Sequence, residues 1–139
     1  MSILKTELKV KDVLLSPDRV PVMGPKTILK QALEQMNKSR LGIICVVDEN
    51  KNLISVFTDG DIRRLLLKAQ KPIAALFADD ISTHANVSFV TINDDSSLSE
   101  AIALMEQKEI WDLPVIDKDS GKFIGLLHLH PAIKHVMGL

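Results

Sequence analysis

The sequence predicts an α/β fold of the mixed α+β type, built from two copies of one β-α-β-β-α unit. Three pairs of segments carry this prediction, because each repeats its apolar pattern after 69 or 70 residues of the 139-residue chain. The matching segments are 32–36 with 101–105, 41–48 with 110–117, and 53–58 with 123–128. Such repetition indicates two copies of one supersecondary unit. We expect the first copy to span residues 1–70 and the second residues 71–139.

The first copy opens with the signals of a short strand followed by a helix. Arg19–Met23 is predicted to be extended, and the Gly-Pro pair that follows it breaks the chain. Apolar residues three and four positions apart then predict a helix over 27–38. Thr27 is its expected N-cap, because a threonine hydroxyl can accept from a free amide of the first turn.

Two strands and a second helix complete the first copy. Ile43–Val47 is a continuous apolar run, typical of a strand buried on both faces. The polar turn at 48–52 predicts that Leu53–Phe57 folds back and pairs with Ile43–Val47 as a hairpin. The second helix is expected to begin at 58–61. It carries four apolar residues, Ile62, Leu65, Leu66 and Leu67.

The second copy repeats this order of elements, and residues 69–85 join the two copies. A continuous apolar run and a turn again predict a strand hairpin, and Pro131 suits the first turn of a final helix. The predicted elements are an extended segment at 87–92, a helix whose stripe is Leu98, Ala101, Ile102 and Met105, strands at 113–116 and 123–127, and a helix at 131–137.

Composition excludes several classes of function. The formal net charge is −1, so no basic surface is available to hold nucleic acid. The longest apolar runs are too short to span a bilayer, and the first eleven residues lack the apolar core of a signal peptide. Cys45 is the only cysteine, which fits a reducing compartment, and we expect a cytoplasmic protein with a buried, inert thiol.

The order of elements, with Pro-Val-Ile-Asp at 114–117 and Thr-x-x-Asp at 58–61, resembles a tandem pair of cystathionine-β-synthase (CBS) domains. Such a pair is a pseudo-two-fold Bateman module. The string from Val56 to Arg64, which contains Thr-Asp-Gly-Asp-Ile-Arg-Arg, resembles the first CBS repeat of KpsF/GutQ-type arabinose 5-phosphate isomerases. CBS-bearing sugar nucleotidyltransferases share it. The resemblance implies the C-terminal regulatory half of such an enzyme, without its sugar-isomerase domain, or a free-standing relative.

The resemblance also implies a set of ligand-binding residues in the first copy. The positions of Thr58 and Asp61 contact the phosphate and ribose of a nucleotide in CBS domains, while Arg63 and Arg64 are donors able to grip phosphate. Gly42 and Ile43 lie at the strand edge that receives a nucleobase. The same Thr-x-x-Asp spacing is also typical of a capping box, in which the two side chains satisfy helix amides. Both interpretations stay open at this point.

The second copy departs from this pattern. His128 stands where the first copy has Thr58, and Pro131 stands where it has Asp61. A proline side chain cannot accept ribose hydroxyl groups, so we expect one competent site and one altered site. Ser55 replaces a glycine that Gly125 retains, and its side chain is expected to narrow the first pocket.

Three further side chains of the second copy are candidate ligand contacts. Trp111 corresponds to Gly42, and it either stacks on a base or packs at a domain or dimer contact. His128 and His130 alternate, so on a strand they would share a face. We expect them to cap a helix or face phosphate, because no third metal ligand follows them at a suitable spacing and no metal site is predicted.

The predicted function is a non-catalytic regulatory module with no catalytic residues. It would bind an adenosine nucleotide (AMP or ATP) or a nucleotide-sugar such as CMP-Kdo in the cleft between the repeats. It would modulate a sugar-phosphate isomerase domain in cis or in trans, and the module itself is not expected to be an enzyme. The expected partners include a second copy in a homodimer, and neither nucleic acid nor membrane. Three alternatives stay open: a dimerisation scaffold with vestigial sites, the CBS part of a sugar nucleotidyltransferase, and an isomerase in its own right.

Overall fold

The computed structural model describes residues 8–130 and residue 132, and these residues form two compact units. The first-repeat unit is the continuous stretch Asp18–Phe89. The second-repeat unit joins residues 8–17 to residues 90–130 and 132. The predicted boundary after residue 70 divides the two sequence repeats. It stays a prediction, because the compact units follow other boundaries along the chain.

The first-repeat unit contains a three-stranded sheet in the order β1-β2-β3. Strands β1 and β2 are parallel, while β2 and β3 form an antiparallel hairpin in which Ile43 pairs with Thr58 and Cys45 pairs with Val56. The elements are β1 (Val22–Met23), α1 (Leu29–Ser39), β2 (Ile43–Val47), β3 (Leu53–Thr58), α2 (Asp59–Lys68), α3 (Ile73–Phe77) and α4 (Ile81–His84).

The core of this unit lies between its sheet and its helices. Ile44 and Phe57 on the hairpin are fully buried and pack with Ala32 of α1 and Leu76 of α3. Cys45 is also fully buried, as the sequence predicts. Strand β2 therefore buries side chains on both of its faces, because its first four residues are all buried.

The second-repeat unit has the same sheet order, β4-β5-β6, with a parallel pair followed by an antiparallel hairpin. Leu98, Ala101 and Met105 of its helix face the core, as the apolar stripe predicts. The elements are β4 (Ile92–Asn93), α5 (Leu98–Lys108), β5 (Asp112–Ile116) and β6 (Phe123–His128). The predicted helix at 131–137 lies outside the described residues, except that Ala132 is helical.

In each unit, the third strand of the sheet pairs with a short segment. In the sequence, that segment lies just before the other repeat. In the second-repeat unit, Leu15 and Leu126 exchange main-chain hydrogen bonds of 2.7 and 2.9 Å. In the first-repeat unit, Asn86 and Val56 exchange the equivalent bonds of 2.7 and 3.0 Å. Residues 8–15 and 79–86 are therefore structural equivalents, and they satisfy backbone groups that the third strand of each sheet would otherwise leave unpaired.

The same two segments also cap the helices that follow the first strand of each unit. Leu29, the first residue of α1, donates its amide to the carbonyl of Asp79, and Leu98 of α5 donates to the carbonyl of Leu8. The predicted N-cap Thr27 is wrong, because the cap residue is Ile28 and no side chain bonds the first turn of α1. A neighbouring backbone carbonyl takes that amide instead.

Three other details differ from the predicted elements. Residues 17–19 form a 3-10 turn, so β1 begins at Val22 rather than at Arg19. Most of 87–92 is irregular, because only Ile92 of that range belongs to a strand. The joining segment 69–85 carries two short helices, α3 and α4, whose buried Leu76 and Ile81 add to the first-repeat core.

An ion-pair cluster joins Lys9 and Lys11 to the rest of the second-repeat unit. The Asp95 carboxylate lies 2.7 Å from Lys9 Nζ, 3.4 Å from Lys118 Nζ and 3.7 Å from Lys11 Nζ. The hydrogen bond from Lys9, followed by that from Lys118, lowers the pKa of Asp95 to about 2. The ionised carboxylate is therefore the form that the folded state favours.

A glycine of β6 allows the segment containing Leu15 to approach the sheet. A Cβ atom at Gly125 would meet the main-chain oxygen of Leu15 and would lie 2.6 Å from a methyl carbon of Leu14. Ser55 occupies the corresponding position of β3 and is buried, at 4% exposure. The two units therefore accept different side chains at the same place.

Within the described residues, no helix has the length and apolar character needed to cross a bilayer.

We expect Gly125→Ala to lower the free energy of unfolding by about 1–3 kcal/mol, the usual range for overpacking a filled site. The added methyl group forces Leu14 and Leu15 away from β6. Urea denaturation measures the loss. Gly24→Ala is the matched control, because a Cβ at Gly24 meets nothing within 4 Å. Equal stability of the two variants would contradict the close approach.

We expect Asp95→Asn to destabilise the protein near neutral pH and to lose this effect in acid. The folded-state pKa lies below the ordinary value of 3.8, so the ionised carboxylate adds stability above about pH 4, and that stability disappears as the pH falls toward 2. Urea denaturation of both proteins from pH 3 to pH 7 measures the difference. A difference that does not change with pH would contradict the ion-pair origin.

Candidate functional site

A polar network of the first-repeat unit lies where β3 passes into α2. Thr58 is the N-cap of α2, and its hydroxyl accepts a hydrogen bond of 3.3 Å from the amide of Asp61. The Asp61 carboxylate accepts one of 2.9 Å from the Thr58 amide and one of 3.1 Å from the Thr58 hydroxyl. The capping box that the sequence allows is therefore formed.

Asp61 also anchors an arginine of the next helical turn. Its second carboxylate oxygen lies 2.7 Å from a terminal nitrogen of Arg64, whose side chain is 56% exposed. A carboxylate offers about four lone-pair directions, so these bonds leave capacity for another donor. Capping and ligand contact are therefore compatible uses of Asp61. Its contact with a ligand stays a prediction, and so do those of Thr58, Arg63 and Arg64.

Gly42 and Ile43 stand at the start of β2, next to this junction. Gly42 has no side chain, and a Cβ atom added there would lie 2.5 Å from a carboxylate oxygen of Asp59. The Asp59 amide bonds the Gly42 carbonyl at 3.0 Å. Ile43 is buried, at 3% exposure, and the ligand contacts expected for Gly42 and Ile43 stay predictions.

A cavity of about 320 Å³ opens beside Gly42. Its walls combine apolar side chains with three polar ones. Ser55, which was expected from the sequence to narrow the first pocket, does not line this cavity. The lining residues are Leu33, Met36, Asn37, Arg40, Leu41, Gly42, Asp59 and Ile62.

The equivalent junction of the second-repeat unit has a different chemistry. His128 Nδ1 lies 2.7 Å from a carboxylate oxygen of Asp112, and the two residues are cross-strand partners on β6 and β5. Their side chains are 28% and 10% exposed. Asp112 is a candidate site residue that was not predicted from the sequence. Its alignment with Ile43 in the repeat was the available signal, because Ile43 is the strand partner of Thr58.

The expected strand alternation of His128 and His130 is wrong. Strand β6 ends at His128, and residues 129 and 130 are already helical, so the two imidazoles do not share a strand face. Within residues 8–130 and 132, no group of three or more His, Cys, Asp or Glu side chains is placed to hold a metal ion.

Trp111 precedes β5 and is 70% exposed. It borders a cavity of about 330 Å³ in the second-repeat unit, and its carbonyl accepts the amide of Leu129 at 2.8 Å. The indole is therefore available to a base or to a protein partner, the two uses that the sequence leaves open.

Comparison with known proteins agrees with this architecture. The family model described as "CBS domain" matches residues 10–68 and 78–130. An uncharacterized protein of Helicobacter pylori strain J99 is 36% identical over 137 residues, which cover 94% of this chain and 38% of that protein. Arabinose 5-phosphate isomerase KdsD of Pseudomonas aeruginosa is 32% identical over 127 residues, or 91% of this chain and 37% of the enzyme.

The chain thus spans less than two-fifths of the length of these relatives. Among solved structures, it is similar to CBSX2 in complex with AMP, with a TM-score of 0.80 and 26% identity over 94% of this chain and 97% of that one. The two matched segments, the paired three-stranded sheets and this likeness agree with each other: the chain belongs to the CBS domain family, as a tandem pair of CBS domains.

Proposed function

We propose that the chain is a non-catalytic regulatory module that binds an adenosine nucleotide or a nucleotide-sugar and modulates a sugar-phosphate isomerase in the cytoplasm. The network of Thr58, Asp61 and Arg64 at the start of α2 is the observation that carries this proposal. It places a carboxylate beside an exposed guanidinium at a helix N-terminus, a combination suited to ribose hydroxyls and phosphate.

Two likenesses support the ligand and the partner. The structurally similar CBSX2 was solved in complex with AMP, which favours AMP or ATP as the first ligands to test. The similarity to KdsD favours an isomerase domain, in cis or in trans, as the target of regulation. A nucleotide-sugar of the same pathway, such as CMP-Kdo, is the second ligand class.

Regulation requires that the ligand prefer one conformation of the module. A ligand that binds two conformations equally well shifts neither. The proposed effector therefore has to bind the state in which the isomerase is either more or less active, and the sign of the effect is a separate question.

Self-association is part of this proposal. Helix α2 buries none of its residues fully, and Leu66 and Leu67 are 49% and 82% exposed. Ile73, at the start of α3, is 57% exposed. Exposed apolar side chains close together in sequence favour a protein interface, and we propose a homodimer. The apolar residues at 133–137 lie outside the described part of the chain.

Three alternatives make different predictions. A dimerisation scaffold with vestigial sites would dimerise, but nucleotides would not raise its melting temperature. A ligand that does bind, at 100 times its dissociation constant, adds about 2.7 kcal/mol to the free energy of unfolding. An isomerase would turn over arabinose 5-phosphate, and we expect none from this chain. The CBS part of a sugar nucleotidyltransferase would regulate a transferase domain instead of an isomerase.

We expect Asp61→Ala to weaken nucleotide binding by about 1.5–3 kcal/mol, the range for a charged hydrogen-bond partner. Isothermal titration calorimetry with AMP, ATP and CMP-Kdo measures the change. Asp61→Asn retains an oxygen that can accept from the Thr58 amide, so it separates loss of charge from loss of the helix cap. Unchanged affinity in a folded Asp61→Ala protein would contradict the proposed site.

We expect one tight nucleotide per chain, because the second repeat has Pro131 and His128 where the first has Asp61 and Thr58. Calorimetric stoichiometry near one, and loss of all tight binding in Asp61→Ala, are the expected results. Two equally tight sites, or a variant that retains one of them, would show that the second repeat binds by other residues.

A further inference from the structure

The two cavities described above occupy the same place in each repeat. Each lies between the C-terminal end of the long helix, α1 or α5, and the residue before the central strand, β2 or β5. Met36 corresponds to Met105, Leu41 to Ile110 and Gly42 to Trp111. The volumes, about 320 and 330 Å³, are also alike.

The charges at these equivalent cavities differ: the first is lined by both Arg40 and Asp59, whereas the charged residues that line the second, among those described, are Glu106 and Glu109. Arg40 is the C-cap of α1 and Glu109 the C-cap of α5, and both have left-handed backbones with φ of 61° and 55°. Glu106 lies beside Glu109 at the second cavity. Within the described residues, none of these three charged side chains has a hydrogen bond or an ion pair, and all three are exposed.

Trp111 gives the second cavity an aromatic wall. The indole is 70% exposed, and the remaining wall is apolar, with the two carboxylates at the side. This combination suits a guanidinium group, which can lie on an indole face while its N–H donors bind carboxylates. The chain itself provides such a group at the equivalent position of the first repeat.

We propose that two copies of the chain pair through unlike repeats, with Arg40 of one copy in the Trp111 cavity of the other. This inference rests on the proposed homodimer and adds its orientation. A two-fold axis repeats each contact, so both copies contribute the same guanidinium–indole pair. Pairing of like repeats would instead set Glu106 and Glu109 against their own counterparts, and such like-charge contacts are unfavourable.

Charge reversal tests the contact by sedimentation velocity. Arg40→Glu and Glu109→Arg should each weaken dimerisation about tenfold, because two symmetric ion pairs become repulsive. The double variant R40E/E109R restores opposite charges across an unlike pair and should recover most of the affinity. Lys38→Glu is the matched control, since it makes the same change of charge on α1 away from the cavity.

Fluorescence provides a second readout, because Trp111 is the only tryptophan. Acrylamide quenching of the wild-type protein should fall as its concentration rises through the dimerisation range, and Arg40→Glu should delay that fall to higher concentration. A wild-type protein that is monomeric at all concentrations would overturn the homodimer itself. A stable dimer that is insensitive to Arg40→Glu, or a double variant weaker than both single ones, would overturn only the orientation.

Discussion

The main-chain hydrogen bonds between a preceding segment and the third strand of each sheet are the constraint on which both units depend. Leu15 with Leu126, and Asn86 with Val56, close the edge of each hairpin. The same segments supply the carbonyls that accept the first amides of α1 and α5. Without them, each unit would leave a strand edge and a helix end unsatisfied. Both candidate sites lie at the ends of these strands and helices, so their positions depend on the same hydrogen bonds.

The two repeats share a backbone and differ in chemistry. At the junction after the hairpin, the first repeat forms a Thr58–Asp61 capping box, whereas the second forms a His128–Asp112 pair. At the cavity beside the central strand, the first repeat has Gly42 and Arg40, whereas the second has Trp111 and Glu109. A duplicated fold therefore need not bring duplicated binding, because the differences fall at the positions that would meet a ligand or a partner.

Much of the fold was predictable from the sequence, because it depends on apolar periodicity and on turns. The hairpins, the long helices and the buried Cys45 follow from that pattern. The N-cap of α1 was not predictable, because the carbonyl of Asp79, distant in the sequence, replaces a local side chain. The role of residues 8–15 was missed for the same reason. At the site, the repeat offset located Thr58 and Asp61, but the pairing of Asp112 with His128 required the strand register.

The assembly of the second-repeat unit has a consequence for synthesis on the ribosome. Residues 18–89 emerge as one stretch and can fold as soon as they are available, whereas Leu15 has to wait for Leu126, about 110 residues later. At roughly 5–20 residues per second, that delay lasts about 6–22 seconds. During it, Leu14 and Leu15 lack their eventual partner strand. Leu14 and Leu15 therefore leave the ribosome early and stay without their partner strand while residues 18–89 fold, until the second-repeat unit can close.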